Sequence, residues 1–257
     1  MSGSGNKSVR KRFILGGAAA VIVLAGVALW WFVFRSDAPA EVDNVAANQQ
    51  LDADLEEAAA AGDAAVVEGF DGDIDGTWTV DNTIGEFTFN SASGSFAGFR
   101  VDEELVGPGS VVAVGRTGDV TGSIEISGGE LIAAAIDVDL TTLTSDRVGS
   151  ESAIQGALDT RLFPTATFDL TAPVALPERA ATGEQFSVTA VGDLTIHGIT
   201  RTATFIIEFN VRADGIAVVT GSTDTVWQDY GVTPPSAPIV ASVEDAGVVE
   251  FQLLLTK

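Results

Sequence analysis

The chain has 257 residues, with 36 acidic side chains against 13 basic ones and a net charge of −23. That balance argues against nucleic acid as a partner, and a 46% hydrophobic content argues against a disordered chain. The absence of cysteine excludes disulfides, thiolate metal sites, a cysteine nucleophile and a lipid-modified cysteine.

Residues 1–12 form a basic N-terminus containing Lys7, Arg10, Lys11 and Arg12. Residues 13–34 then run for 22 positions without a charge, enough for a helix to cross a hydrocarbon core about 30 Å thick. Ala38-Pro39-Ala40 is similar to a signal-peptidase site. A signal-peptide core has only about 7–15 apolar residues, however, and Trp30-Trp31 suits a membrane interface, so the reading is an uncleaved signal anchor. The basic flank places the N-terminus in the cytoplasm and the rest outside the cell membrane, which it crosses once.

Residues 35–76 are rich in Ala, Asp and Glu, with a short helix expected at Glu56-Glu57-Ala58-Ala59-Ala60-Ala61 and no sustained apolar face. They are expected to form an acidic linker, extended by self-repulsion. Within it, Asp71-Gly72-Asp73-Ile74-Asp75-Gly76 matches the opening of a calcium loop. Position twelve of that loop is Asn82 instead of a bidentate glutamate, and a strand-like Thr77-Trp78-Thr79-Val80 follows. The expectation is therefore a linker and no metal site.

Residues 77–257 change to a period of two, the mark of half-buried strands. Ile132, Ala134, Ile136, Val138 and Leu140 share a face opposite Asp137 and Asp139. Ala166, Phe168 and Leu170 alternate in the same way, as do Phe205, Ile207 and Phe209, and then Val249, Phe251, Leu253 and Leu255. Shorter candidates are 87–89, 111–114, 120–126, 186–191 and 216–221. One helical stretch interrupts them at 149–162, where Ile154, Leu158 and Leu162 recur at i, i+4, i+8 before Pro164. Such a pattern predicts an all-β antiparallel barrel or sandwich with one short helix. Small inward residues (Ala134, Ala166, Ala190, Gly192, Ala203) suit an elongated apolar cavity, or leave space that neighbouring rings fill.

Two blocks carry a resemblance. One is Gly192-Asp193-Leu194-Thr195-Ile196-His197-Gly198-Ile199-Thr200-Arg201 with the alternating strand after it. The other is Leu158-Asp159-Thr160-Arg161-Leu162-Phe163-Pro164-Thr165-Ala166-Thr167-Phe168, preceded by Thr144-Ser145-Asp146-Arg147. Together they resemble the YceI-like family. The resemblance implies a lipocalin-like antiparallel β-barrel of about eight strands that holds a polyisoprenoid or other long-chain apolar lipid. This sequence departs from the family in continuing Val148-Gly149-Ser150 after Asp146-Arg147, where members frequently carry a further histidine.

Phe168, Phe205, Ile207 and Phe209 are the expected apolar wall, because alternation places them inside. Phe163, Trp227 and Tyr230 are candidates for the mouth, or for closing the core. His197, Arg147 and Asp146 are candidates for a polar head group, or for structural hydrogen bonds and ion pairs. A single histidine, with no Gly-x-Ser-x-Gly elbow, P-loop or Gly-x-Gly-x-x-Gly run, argues against an enzyme and against a nucleotide cofactor. The expected function is a membrane-anchored, extracytoplasmic lipid-binding protein, with a homodimer left open. The alternative is an envelope protein-interaction module whose barrel is filled.

Overall fold

The computed structural model describes residues 38–61, 70–90, 92–106, 109–145, 151–235 and 240–257. The expected span at 13–34 and the candidates Asp146 and Arg147 lie outside these residues. Among the described residues, no helix is long and apolar enough to cross a membrane.

The strands are β1 (Gly76–Val80), β2 (Phe96–Leu105), β3 (Gly109–Thr117), β4 (Val120–Ser127), β5 (Glu130–Asp139), β6 (Thr144–Ser145), β7 (Thr165–Leu170), β8 (Val174–Ala175), β9 (Phe186–Ile196), β10 (Ile199–Val211), β11 (Ala217–Val226) and β12 (Val240–Thr256). Hydrogen bonding runs β1-β4-β5-β7-β9-β10-β11-β12, and β12 returns to β1 through Thr79↔Thr256 and Val80↔Leu255. Every one of these pairings is antiparallel, which closes an eight-stranded barrel. The β2–β3 hairpin lies along another length of β12, with β6 on its outer edge.

Alternation dictates the facing. Along β9, Phe186, Ala190, Leu194 and Ile196 are buried while Ser187 and Thr189 are exposed. Phe205, Ile207 and Phe209 are buried on β10 in the same manner. β9 and β10 join through His197 (φ 53°) and Gly198 (φ 71°). Two left-handed residues in a two-residue loop match the right-handed twist of the flanking strands.

Three expectations are revised. Ile132 is 39% exposed and Leu131 takes the inward place, because a bulge shifts the register so that Glu125 pairs Ala133 but Ile126 pairs Leu131. The helix expected at 149–162 is shorter, α2 (Glu151–Ala157); here α1 is the preceding helix, Asn44–Ala61. Leu158 is buried, but Asp159 turns left-handed (φ 44°), so the helical period stops and Leu162 is 67% exposed. The run Phe87-Thr88-Phe89 forms only an isolated bridge from Phe87 to Ala92.

A further revision concerns the segment expected as an extended spacer. Residues 44–61 are the helix α1, started by Asp43, whose Oδ1 accepts from the Ala46 N–H at 2.7 Å. Ala47 and Leu51 on α1 pack with Ile84, Ile216, Val218 and Leu254 in a second apolar cluster, with Leu55 against it. Asn44, Asn48 and Asp52, also spaced by four, bond to Val218 O (3.1 Å), Asn210 Oδ1 (3.0 Å) and Arg212 Nη2 (2.8 Å). α1 is thus clamped to the outside of the barrel wall.

Candidate functional site

The barrel interior holds a cavity of about 150 Å³ that is partly open to the outside. Among the described residues that border it, only Thr167 and Glu250 are polar, and both lie at outward positions of their strands; the Glu250 carboxylate is engaged on the outside by Arg116 through Nε (3.0 Å) and Nη2 (2.6 Å). An interior of this chemistry gives a water molecule few partners and an apolar guest many.

Aromatic rings furnish much of the lining. Phe168 meets Phe205 edge-on with centroids 5.1 Å apart, Phe205 lies 5.5 Å from Phe251, and Phe99 meets Trp227 edge-on at 5.7 Å. Phe186 and Phe209 form another lining pair at 5.3 Å. Such separations are those of favourable tilted and edge-to-face contacts. Ala134, Ala166 and Ala190 line the cavity as small inward residues. Over Gly192 the space is instead taken by the Phe168 ring. The two readings of small inward residues therefore apply at different positions.

Among the sequence candidates, Phe168, Phe205, Ile207, Phe209 and Trp227 line the cavity. Phe163, His197 and Tyr230 come together outside that lining. The Phe163 and His197 rings are edge-on at 4.9 Å, and His197 Nδ1 lies 3.1 Å from the Tyr230 carbonyl oxygen. His197 thereby ties the β9–β10 turn to the 3-10 turn Trp227–Tyr230. Tyr230 is 5% exposed; burial raises its phenol above the ordinary range, with Arg201 opposing and Asp229 reinforcing the shift.

The candidates missed Phe99, Phe186 and Phe251 as cavity residues. Phe251 sits in an alternating run already visible in the sequence, and Phe186 heads another. Phe99 lies in Phe96-Ala97-Gly98-Phe99-Arg100-Val101, where Ala97, Phe99 and Val101 alternate with Gly98, Arg100 and Asp102 over a stretch that ends in Glu103-Glu104.

The carboxylates of the calcium-like stretch serve backbone turns. Asp71 Oδ1 accepts from Asp73 N, Asp73 Oδ1 from Asp75 N, and Asp75 Oδ2 from Gly128 N, each near 3 Å. Among the described residues, no group of three or more His, Cys, Asp or Glu side chains is placed to hold a metal ion.

Comparison with known proteins bears on this barrel. The family description "YceI-like domain" matches residues 78–255. No curated protein sequence matches the chain. Among solved structures, a polyisoprenoid binding domain from Saccharophagus degradans implicated in plant cell wall breakdown is 16% identical, with 70% of this chain and 97% of that one covered at a TM-score of 0.50. BcnA of Burkholderia cenocepacia is 18% identical over 62% of this chain and 95% of its own, at 0.44. A Campylobacter jejuni YCEI protein is 14% identical over 56% and 84%, at 0.43. The match over most of the chain makes it a member of the YceI-like family.

Proposed function

We propose that this YceI-like domain is a binding protein that holds a long-chain apolar lipid of the polyisoprenoid kind in its barrel. The observation that carries the reading is the cavity itself, framed by strands and lined almost wholly by apolar side chains. Each buried CH2 group contributes about 0.8 kcal/mol, so about ten of them give roughly 8 kcal/mol, the scale of micromolar binding before ordering costs. The structural neighbour from Saccharophagus degradans, described as polyisoprenoid binding, supports the same ligand class. A cavity near 150 Å³ takes a guest of benzene size. A longer chain therefore extends through the open side of the cavity or widens the bore.

In this reading the protein is not an enzyme: a greasy interior presents no nucleophile or acid–base pair to a substrate. Residues 13–34 anchor it as a single-pass helix, with the barrel outside the cell membrane; the uncharged run and its basic flank support this placement.

The test is solvent extraction of the purified full chain followed by mass spectrometry. A reproducible long-chain species in stoichiometric amount is the expected result. An empty extract from folded protein would turn the reading toward an envelope interaction module.

A further inference from the structure

We propose that the bore of the barrel is set by glycines in its wall and in the β2–β3 hairpin beside it, Gly192, Gly221, Gly247 and Gly115, each of which seats one aromatic ring of the lining. The inference rests on the reading that the lumen holds an apolar chain, and it assigns these glycines the selection of how bulky that chain can be.

Phe99 on β2 stands directly opposite Gly115 on β3, and Phe251 on β12 directly opposite Gly221 on β11. A Cβ at Gly115 would lie 2.4 Å from Phe99 Cε1, and one at Gly221 would lie 2.5 Å from Phe251 Cζ. At Gly192 the nearest ring atom is Phe168 Cζ at 2.4 Å, and at Gly247 it is Trp227 Cζ2 at 2.6 Å. All of these distances are shorter than any real Cβ contact, so each ring rests on bare backbone. The four aromatic residues all line the cavity.

None of these glycines has the left-handed φ that would demand glycine for conformation. Glycine inside a strand weakens it. Its recurrence beneath lining rings is explained by space: a ring laid flat on the wall leaves the lumen open, whereas a methyl group beneath it lifts the ring inward. Magnitude decides how much this matters. The free volume, about 150 Å³, is that which a single benzene occupies. One phenyl ring lifted part-way into a space of that size therefore narrows the bore appreciably, more severely for a branched chain than for a straight one.

The cleanest variants are Gly221→Ala and Gly115→Ala, because there the closest atoms are ring atoms, whereas Gly192 and Gly247 also approach backbone oxygens at 2.5 Å. Binding of farnesol, which is methyl-branched, and of hexadecanol, which is not, would be measured with the full chain in detergent. We expect Gly221→Ala to weaken farnesol by about tenfold or more, to weaken hexadecanol less, and to regain farnesol when Phe251→Leu is added. Gly115→Ala should behave alike, and it serves as the second variant if Gly221→Ala fails to fold. Folded variants that bind both alcohols as the wild type does would overturn the inference while leaving the lipid reading intact. Failure of the wild type to bind either alcohol would count against the lipid reading instead. A crystal structure of Gly221→Ala then still decides the seat: a Phe251 ring turned into the lumen supports it, and an unmoved ring with the wall displaced refutes it.

Discussion

Along β12 the inward residues Val249, Phe251, Leu253 and Leu255 meet the apolar interior, the first two only partly buried, whereas the outward Glu250, Gln252 and Leu254 are all buried and meet a cover of mixed chemistry. Glu250 is 1% exposed and receives Arg116 on Oε1, with Arg100 at 3.6 Å from the same atom. The same two arginines hold the incoming chain: Arg100 donates to Pro39 O at 2.9 Å and Arg116 to Ala40 O at 2.7 Å. Gln252 Nε2 donates to Ala92 O and Gly94 O. A Ser93–Asp54 hydrogen bond and α1 complete the cover. One face thus gains stability from area alone, which is indifferent to the shape of a guest. The other gains it from paired polar groups, which fix a single partner in a single register.

The comparison can be broken most severely from inside. Phe205→Asp places a carboxylate where the lumen offers no partner, so we expect a loss above about 4 kcal/mol, or complete unfolding, in thermal denaturation. Normal stability would mean that β10 faces the other way.

From outside, Glu250→Ala leaves Arg116 buried with its counter-charge removed. Burial already pulls that guanidinium below its ordinary pKa range, and Glu250 opposes the pull. The expected cost is about 3–5 kcal/mol in chemical denaturation. The double change of Arg116 and Glu250 to apolar residues should recover much of it, which a bond of purely Coulombic worth would not permit.

Leu51→Ala tests the cover more locally. The side chain is fully buried against the outer wall, and its truncation should cost about 2 kcal/mol. Faster amide exchange should be confined to residues 44–61, with the strands of the barrel unaltered. Exchange spreading through β9 and β10 would show that α1 is part of the barrel's cooperative core.

The smallest effect is at alkaline pH. The Tyr230 phenol is raised by burial, so the unfolded chain loses that proton first, near pH 10, and the folded chain only at higher pH. Between those values the folded state binds more protons, and stability present below about pH 10 falls as pH rises through the window. Tyr230→Phe should flatten this limb of a stability–pH profile, whereas an unchanged limb would assign it to another group.

The same contrast explains what the sequence disclosed. Inner faces were legible because Phe205, Ile207 and Phe209, or Val249 to Leu255, alternate with residues of a different character. Ile132 was misplaced because a bulge inserts a residue without any mark in composition. The outer cover was hidden for a different reason. In 44–61 the apolar stripe is only Ala47, Leu51 and Leu55 among acidic and alanine neighbours, and its partners Val218 and Leu254 lie far along the chain. Such a helix shows its purpose only once the wall it covers is built. The site was half legible in the same sense: strand period identified Phe168, Phe205 and Phe209, but no spacing reveals that a ring rests on a glycine of the neighbouring strand. Phe163, His197 and Tyr230 meet at a turn contact beside the cavity lining, a meeting that no spacing in the sequence announced.

The most direct measurement is native mass spectrometry of the full chain released from detergent. The account predicts one added mass per chain, in the range of a long-chain lipid, that disappears on denaturation. A folded chain that carries only its own mass, both as purified and after incubation with farnesol, would contradict it.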